Sequence, residues 1–314
     1  MNGVPVFSGR LVEQAVSPDR AVDAVRAAFI AHARGEWTMP PKVYVTNYPA
    51  GDFRAMPALG GGHALLKWVT SFPGNPLQGL PTVTGVVLLS DAENGQLRAV
   101  LDAAAVTALR TGAAAVLAAE TLGRSDATTA AVIGAGVNGR ATARTFLARG
   151  RPVLLWDVNE PRAQHVATDL GAEVAPSLEA ALAADLVVTV TPGHAVLFAE
   201  GTLRPGQHVS LMGADGPGKA EVAGSELARA HLFCDDWEQA RHGGELAHAV
   251  DEGLVGRGDV TVLGDVLAGT ATGRASESEI TAFDSTGLAI QDLAIALAAV
   301  EAAGELPDLP QLEL

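Results

Sequence analysis

The sequence predicts an α/β protein of two domains, one of them built on a parallel sheet. Three observations carry the prediction. The chain has 314 residues, enough for two cores of ordinary size. From residue 129, runs of strand length alternate with helical stretches, TTAAVIGAG, then NGRATARTFLARG, then PVLLWD, which is the rhythm of parallel strands joined by crossover helices. Between 43 and 101 the runs VYVTNY, ALLKWVTSF, TVTGVVLLSD and QLRAVLD succeed one another, and they predict a mostly antiparallel sheet.

Taken in order, a short strand-like start precedes one opening helix over 17–35. Ser17 stands at its N-cap, Pro18 at its first position and Gly35 at its stop. Asn94-Gly95 is a hairpin turn between the last two β runs. Residues 102–122 are rich in helix formers and predict a long helix, with Gly112 a point of interruption. GRSDAT, 123–128, reads as a linker. Strand candidates at 185–191 and 207–213 extend the second sheet, and 287–304 is a last amphipathic helix with no strand after it, placed to return to the first domain.

Composition excludes several classes. Hydrophobic residues make up 48% and aromatics only 4%, which suits small side chains in helices on a sheet and neither a disulfide scaffold nor a disordered chain. A net charge of −15 repels phosphate backbones and anionic lipid alike, so neither nucleic acid nor membrane is an expected partner. A single Cys234, no signal-peptide layout and no apolar run of about 18 residues point to the cytoplasm.

Gly134-Ala135-Gly136-Val137-Asn138-Gly139 fits G-x-G-x-x-G between a strand and a helix. There the glycines permit a tight turn, close approach of a pyrophosphate and packing of helix on strand, with helix N–H groups facing the phosphates. Asp157, at the end of the next strand, stands where a carboxylate accepts hydrogen bonds from the adenosine ribose and repels a 2′-phosphate, favouring NAD. Two readings stay open beside it: Asp157 as a cap of the following helix, and NADP use through Arg162.

Only three of the 21 basic residues are lysine: Lys42, Lys67 and Lys219. A buried ammonium can shift its pKa into the working range, whereas a guanidinium stays protonated. Either these are ordinary solvated charges, or each occupies a place a guanidinium would not serve. His242, Glu245 and His248 in HGGELAH lack the spacing of H-E-x-x-H, and Gly243-Gly244 predicts a turn, so no metal is expected.

Several stretches resemble the ornithine cyclodeaminase and μ-crystallin superfamily, and within it the archaeal-type alanine dehydrogenase branch. They are PPKVY (40–44), GDFRAMPA (51–58), LKWVTSFPGNP (66–76), GLPTV (79–83), LRTGAAA (109–115), IGAG (133–136), GADGPGKAE (213–221) and DSTGLAIQDLA (284–294). The resemblance implies a bilobal homodimer: residues 1–115 plus 287–314 form a mixed α+β substrate-binding and dimerisation domain, and 116–286 an inserted Rossmann-like NAD-binding domain. It places Lys42, Arg54, Lys67 and Arg110 around a substrate carboxylate, with Lys67 and Asp215 catalytic. Thr82, Arg110, Thr111, Lys219 and Ser285 join the glycine motif and Asp157 as cofactor residues, as do Thr189, Met212 and Gly213 of the later strands.

The reaction so implied is NAD-dependent oxidation of a small L-amino acid, L-alanine with NAD and water giving pyruvate, ammonia and NADH. The same scaffold also supports ketimine reduction, opine-type reductive amination, ornithine or lysine cyclodeamination, and NAD(P)-holding carrier proteins. A cyclodeaminase needs an acid for the substrate's distal cation where this chain has Arg54. Arg54 either anchors a second carboxylate or pairs with an acid such as Asp52.

Overall fold

The computed structural model describes residues 3–313 except 193, 194, 215, 217 and 307. The chain divides into two compact units, residues 1–110 with 288–314, and residues 111–287.

The first unit is built on a seven-stranded sheet. Its strands are β1 (Val4–Phe7), β2 (Val43–Asn47), β3 (Gly51–Gly60), β4 (His63–Ser71), β5 (Val83–Asp91) and β6 (Leu97–Asp102), with β15 (Gln311–Leu312) at the far end of the chain; their spatial order is β15-β1-β6-β5-β4-β3-β2. From β2 to β6 every pairing is antiparallel, and only β1 with β6 runs parallel. The Asn94-Gly95 turn is present, with Gly95 at φ 75° and Asp91 Oδ1 accepting the Glu93 and Asn94 N–H groups. β3 carries a proline that disguised it as a motif rather than a strand. Pro57 nonetheless fits, because β2 stops pairing at Val43 opposite Ala55 and asks for no N–H from residue 57.

The opening of the chain holds two helices rather than the one expected. α1 (Gly9–Ala15) precedes α2 (Pro18–Ala33). α2 starts and stops as its sequence dictates, Ser17 accepting from Arg20 N and Gly35 adopting φ 72°. α1 has no side-chain cap and begins with glycine, so it left no local signal; burial of Leu11, Val12 and Ala15 holds it. The last long helix, α11 (Ala289–Glu301), packs on α2 and β3 within this unit. A strand does follow it, since β15 pairs antiparallel with β1 at Val4 and Leu312. Two residues are too few to show period-2 patterning.

The second unit is an eight-stranded parallel sheet in the order β13-β12-β14-β11-β10-β7-β8-β9. Its strands are β7 (Ala130–Ile133), β8 (Val153–Trp156), β9 (Glu173–Val174), β10 (Leu186–Thr189), β11 (His208–Leu211), β12 (His231–Cys234), β13 (Val260–Val262) and β14 (Thr281–Asp284). The helices along the chain are α3 (Ala103–Leu122), α4 (Val137–Ala148), α5 (Glu160–Leu170), α6 (Leu178–Leu182), α7 (Gly224–Leu227), α8 (Trp237–Gly243), α9 (Ala247–Asp251) and α10 (Leu263–Leu267). From β7 the chain winds outward through β8 and β9, then returns to the other side of β7 with β10 and β11. The reversal between β7 and β10 is a topological switch point, where open parallel sheets bind ligands at their C-terminal ends.

α3 corrects two expectations. It runs unbroken through Gly112, where a β-carbon would sit 2.9 Å from the Ala141 carbonyl carbon and oxygen; the glycine serves close approach to α4, not a break. α3 is also long and apolar enough to cross a membrane by length and composition, although no such run was expected. Ala113 to Ala119 are at most 1% exposed, as in the core helix of a packed unit.

Candidate functional site

In the second unit the glycine motif spans the switch point. Gly134 follows β7 at φ 103°, and a β-carbon on it would lie 2.8 Å from Val190 O beyond β10. A β-carbon on Gly139 would overlap the Gly134 carbonyl oxygen, so α4 can seat against β7 only with glycine there. Around Gly136 the space is open, and this residue is the N-cap of α4 with no side-chain cap. Val137 and Asn138 follow in the first turn, Val137 being 70% exposed. An uncapped twelve-residue helix whose entry is kept clear of side chains is a cradle that fits a pyrophosphate.

Asp157 follows β8 and is buried. Its Oδ2 accepts from Ala135 N at 2.6 Å and its Oδ1 from Asn159 N at 2.8 Å, while Arg162 grips both oxygens at 3.0 and 2.7 Å. Burial pushes this carboxyl up, but the Arg162 and backbone hydrogen bonds outweigh it and hold it below the usual range. The helix cap is instead Asn159, which accepts from Arg162 N. Asp157 thus ties the glycine loop to the strand end, with Arg162 across its outer side.

Two of the remaining cofactor candidates of this unit, Thr189 and Ser285, already hydrogen-bond to buried acids. Thr189 and Thr191 both donate to the carboxylate of Glu221. Gly213 has room for no side chain, since a β-carbon would meet Thr191 O at 2.5 Å and Glu221 Oε2 at 2.9 Å. Met212, just beyond β11, is 9% exposed, Lys219 is half-buried, and Lys219 acts electrostatically on Glu221. Ser285 Oγ donates to Asp235 Oδ2 at 3.0 Å, and Thr286 Oγ1 and the N–H groups of Asp236 and Gly287 donate to the same carboxylate. Thr111 Oγ1 in α3 is buried without a hydrogen-bond partner. Asp215 lies outside the described residues.

Sequence reading gave no role to Glu221, Asp235 and Asp284 and weighed Glu245 only as a metal ligand, yet these four acids organise the loops. Glu245 Oε1 accepts the N–H groups of Glu221 and Val222, both at 2.7 Å, and burial pushes its carboxyl up to about 7. Asp284 Oδ2 accepts from Leu246 N, and burial drives its pKa well above the usual range. Among the described residues no group of three or more His, Cys, Asp or Glu could hold a metal ion.

In the first unit the cations gather on one side of the sheet. Lys67, on β4 between Leu65 and Val69, is 1% exposed; its Nζ lies 2.9 Å from Oδ1 of Asp292 in α11. Arg110 Nε is 3.6 Å from the same oxygen, and an Arg110 terminal nitrogen reaches Gln291 Oε1 at 3.5 Å. Burial pulls the Lys67 ammonium down to about 8, against the pull of Asp292 in the other direction. Arg54 Nε and a terminal nitrogen pair with both oxygens of Asp52, at 2.6 and 3.2 Å, and the guanidinium stands 5.4 Å from the Tyr44 ring centre. Of the two open readings, pairing with Asp52 is the one the geometry contains. Lys42 is half-buried ahead of β2, and Thr82 is a half-buried bend ahead of β5 whose carbonyl accepts from Phe72 N.

A parallel sheet with a glycine-lined switch point, in a chain whose other unit sets a buried lysine and a half-buried arginine beside one acid, defines a Rossmann-like α/β protein with a second, mixed α/β lobe. Residues 6–305 match the ornithine cyclodeaminase/mu-crystallin family, and the chain belongs to it. It is 43% identical over 295 residues to an alanine dehydrogenase of Archaeoglobus fulgidus, spanning 91% of this chain and 90% of that protein. The fold superposes on an archaeal alanine dehydrogenase dimer with bound NAD at a TM-score of 0.92, with 41% identity and 99% of each chain covered. It also superposes on the Thermococcus litoralis Δ1-pyrroline-2-carboxylate reductase in complex with NADH and L-proline, at a TM-score of 0.91, 27% identity, and coverage of 98% of this chain and all of that one.

Proposed function

We propose that the protein is an NAD-dependent oxidoreductase acting on the CH–NH2 group of a small L-amino acid, with L-alanine the first candidate. One observation carries the reading: the buried charge of the first unit does not balance. Arg54 is matched by Asp52, but Lys67 and Arg110 share the single carboxylate of Asp292. An excess buried cation is costly until an anion joins it, and a substrate carboxylate completes the set. The relatives in the alanine dehydrogenase branch support the same reading.

Lys67 and Arg110, with Lys42, bind and orient that carboxylate, which fixes Cα for reaction. Asp215 takes the proton released as amine becomes imine and returns it as water adds and ammonia leaves. Gly134, Gly136, Val137, Asn138 and Gly139 hold the pyrophosphate of NAD, and Asp157 its adenosine ribose. Thr82, Thr111, Thr189, Met212, Gly213, Lys219 and Ser285 line its remainder. NAD, when bound, supplies the acceptor for the hydride that leaves Cα.

The Asp52–Arg54 pair separates this from cyclodeamination. A substrate with a distal ammonium would find Asp52 occupied and a guanidinium facing it, at a cost of about 4 kcal/mol for like charges 4 Å apart at an effective dielectric near 20. We also place the protein in the cytoplasm, where its one cysteine, Cys234, stays a buried free thiol.

The test mixes purified protein with NAD and, separately, L-alanine, other L-amino acids and L-ornithine, following NADH by absorbance and products by mass spectrometry. Net NADH with a small amino acid is expected. Proline and ammonia from ornithine without net NADH would reassign it as a cyclodeaminase. Activity only with cyclic imines and NADH would make it a reductase.

A further inference from the structure

Lys67 stands on the inward face of β4, whose neighbours on that face are Leu65 and Val69 at 3% and 6% exposure. An ammonium on such a face is unstable as a charge unless something holds it. The group that does so comes from 225 residues away: Asp292, 0% exposed, at 2.9 Å. Asp292 sits in the first turn of the thirteen-residue α11, where the helix dipole favours a negative charge. Beside it Gln291 accepts the Leu288 N–H at 3.2 Å and the Arg110 contact at 3.5 Å through one oxygen. Three buried polar atoms of this network have no hydrogen-bond partner: Arg110 Nε, Gln291 Nε2 and Asp292 Oδ2.

We infer that Asp292 is a positioning residue, which keeps Lys67 an ammonium at a fixed place on β4 and, with Gln291, sets the Arg110 guanidinium beside it. The inference rests on the reading of Lys67 and Arg110 as carboxylate anchors. Its physical content is a balance of fields at Nζ. The charged groups acting there are Asp292 from α11, Arg110 from α3 and Arg54 from β3. Burial and the two guanidinium groups favour the neutral amine; Asp292 alone of these three opposes them, by its charge and by its hydrogen bond. Removing that carboxylate leaves a neutral Lys67 near pH 8, and a neutral amine neither neutralises a carboxylate nor stays where Asp292 held it.

Three lysines in the whole chain make a direct measurement feasible. With 13C at the lysine Cε positions and Lys42→Arg and Lys219→Arg for assignment, NMR titration reads Lys67 with no substrate present. The wild-type midpoint is expected near 8, and Asp292→Asn should lower it by at least one pH unit. Asp292→Glu, which keeps the charge, should leave it within half a unit of wild type. In kinetics, Asp292→Asn should raise KM for the amino acid tenfold or more at pH 8, with a much smaller effect on KM for NAD. A Lys67 midpoint that Asp292→Asn does not move overturns the inference; should the Asn variant fail to fold, Asp292→Glu decides it, a midpoint within half a unit of wild type and a KM near wild type being expected and a midpoint displaced by more than one unit overturning it. The two readings fail separately: a chain that oxidises no amino acid while Lys67 still answers to Asp292 overturns the proposed reaction, whereas an active enzyme with an unresponsive Lys67 overturns the positioning role.

Discussion

At the scale of single residues, lysine and arginine are not exchangeable at position 67. A guanidinium there would add volume to a site that is 1% exposed and would displace Nζ from Asp292. Overpacking of this kind costs about 1–3 kcal/mol of stability, and moving the anchoring charge by about an ångström misplaces Cα, so Lys67→Arg should lower kcat/KM by roughly tenfold to a hundredfold, measured by steady-state kinetics. Full activity would show that charge alone is what the position needs. Asp157 makes a second separable claim. Asp157→Ser removes the acceptor proposed for the ribose and frees Arg162, so the ratio of NAD to NADP affinity should move toward NADP by about tenfold or more, on the order of 1.4 kcal/mol, by fluorescence titration of both cofactors. An unmoved ratio would leave Asp157 a purely structural tie between Ala135, Asn159 and Arg162. These residues were legible in sequence because their signals are local: a scarce lysine, an acid one strand beyond a glycine motif. Asp292 and Asp235 were not, because what makes them matter is a partner 225 or 50 residues away that only folding supplies.

Elements were legible to the extent that their own residues decide them. α2, the Gly95 hairpin and the run from β7 through α4 to β8 carry caps, turns and periodicity in place. α1, β3 and β15 are decided by packing and pairing, and pattern alone missed them. The loops after β11, β12 and β14 show a further layer, in which buried acids bind the connections together: Glu245 receives the two N–H groups that open the segment at Glu221 and Val222. That arrangement has a pH dependence with a definite sign. Burial raises the Glu245 carboxyl from an ordinary 4.5 to about 7. The folded state therefore holds a proton that the unfolded state releases; the stabilisation is complete below about pH 4.5 and is lost as pH rises to about 7. Glu245→Gln keeps an oxygen for both N–H groups and cannot ionise. Its unfolding free energy should lose about 1–3 kcal/mol of the wild-type decline across that window, read from denaturant melts at pH 5 and 7.5. Equal slopes in the two proteins would show that Glu245 ionises in the fold as it does in water.

For the whole molecule, the outer face of the first sheet poses the remaining question. Strand pairing puts Val43, Trp68 and Val86 in one row across β2, β4 and β5, and Leu66 lies two residues along β4 on the same face. All four are exposed, from 38% for Leu66 to 56% for Val43, while Leu65, Lys67 and Val69 point the other way into the core. An apolar row on one side of an antiparallel sheet is ordinarily covered. The archaeal alanine dehydrogenase on which the chain superposes is a dimer, so a second copy of this chain is the cover to test. The prediction is specific to that face. Trp68→Glu places a charge in the middle of the row without touching Lys67; where the wild type sediments as a dimer closed by this face, the variant should sediment as a monomer in analytical ultracentrifugation while circular dichroism keeps the wild-type helix and strand content. Burying an unpaired carboxylate at an interface costs several kcal/mol, which shifts a dimer's midpoint by more than a hundredfold in concentration. A Trp68→Glu protein that sediments as the wild type does at micromolar concentration would place any interface elsewhere and leave this row a solvent-facing surface. Activity measured on the monomer then separates assembly from chemistry: Lys67 and Arg54 lie on the opposite face of the same sheet, so turnover that survives dissociation would show that one chain holds the proposed carboxylate site unaided.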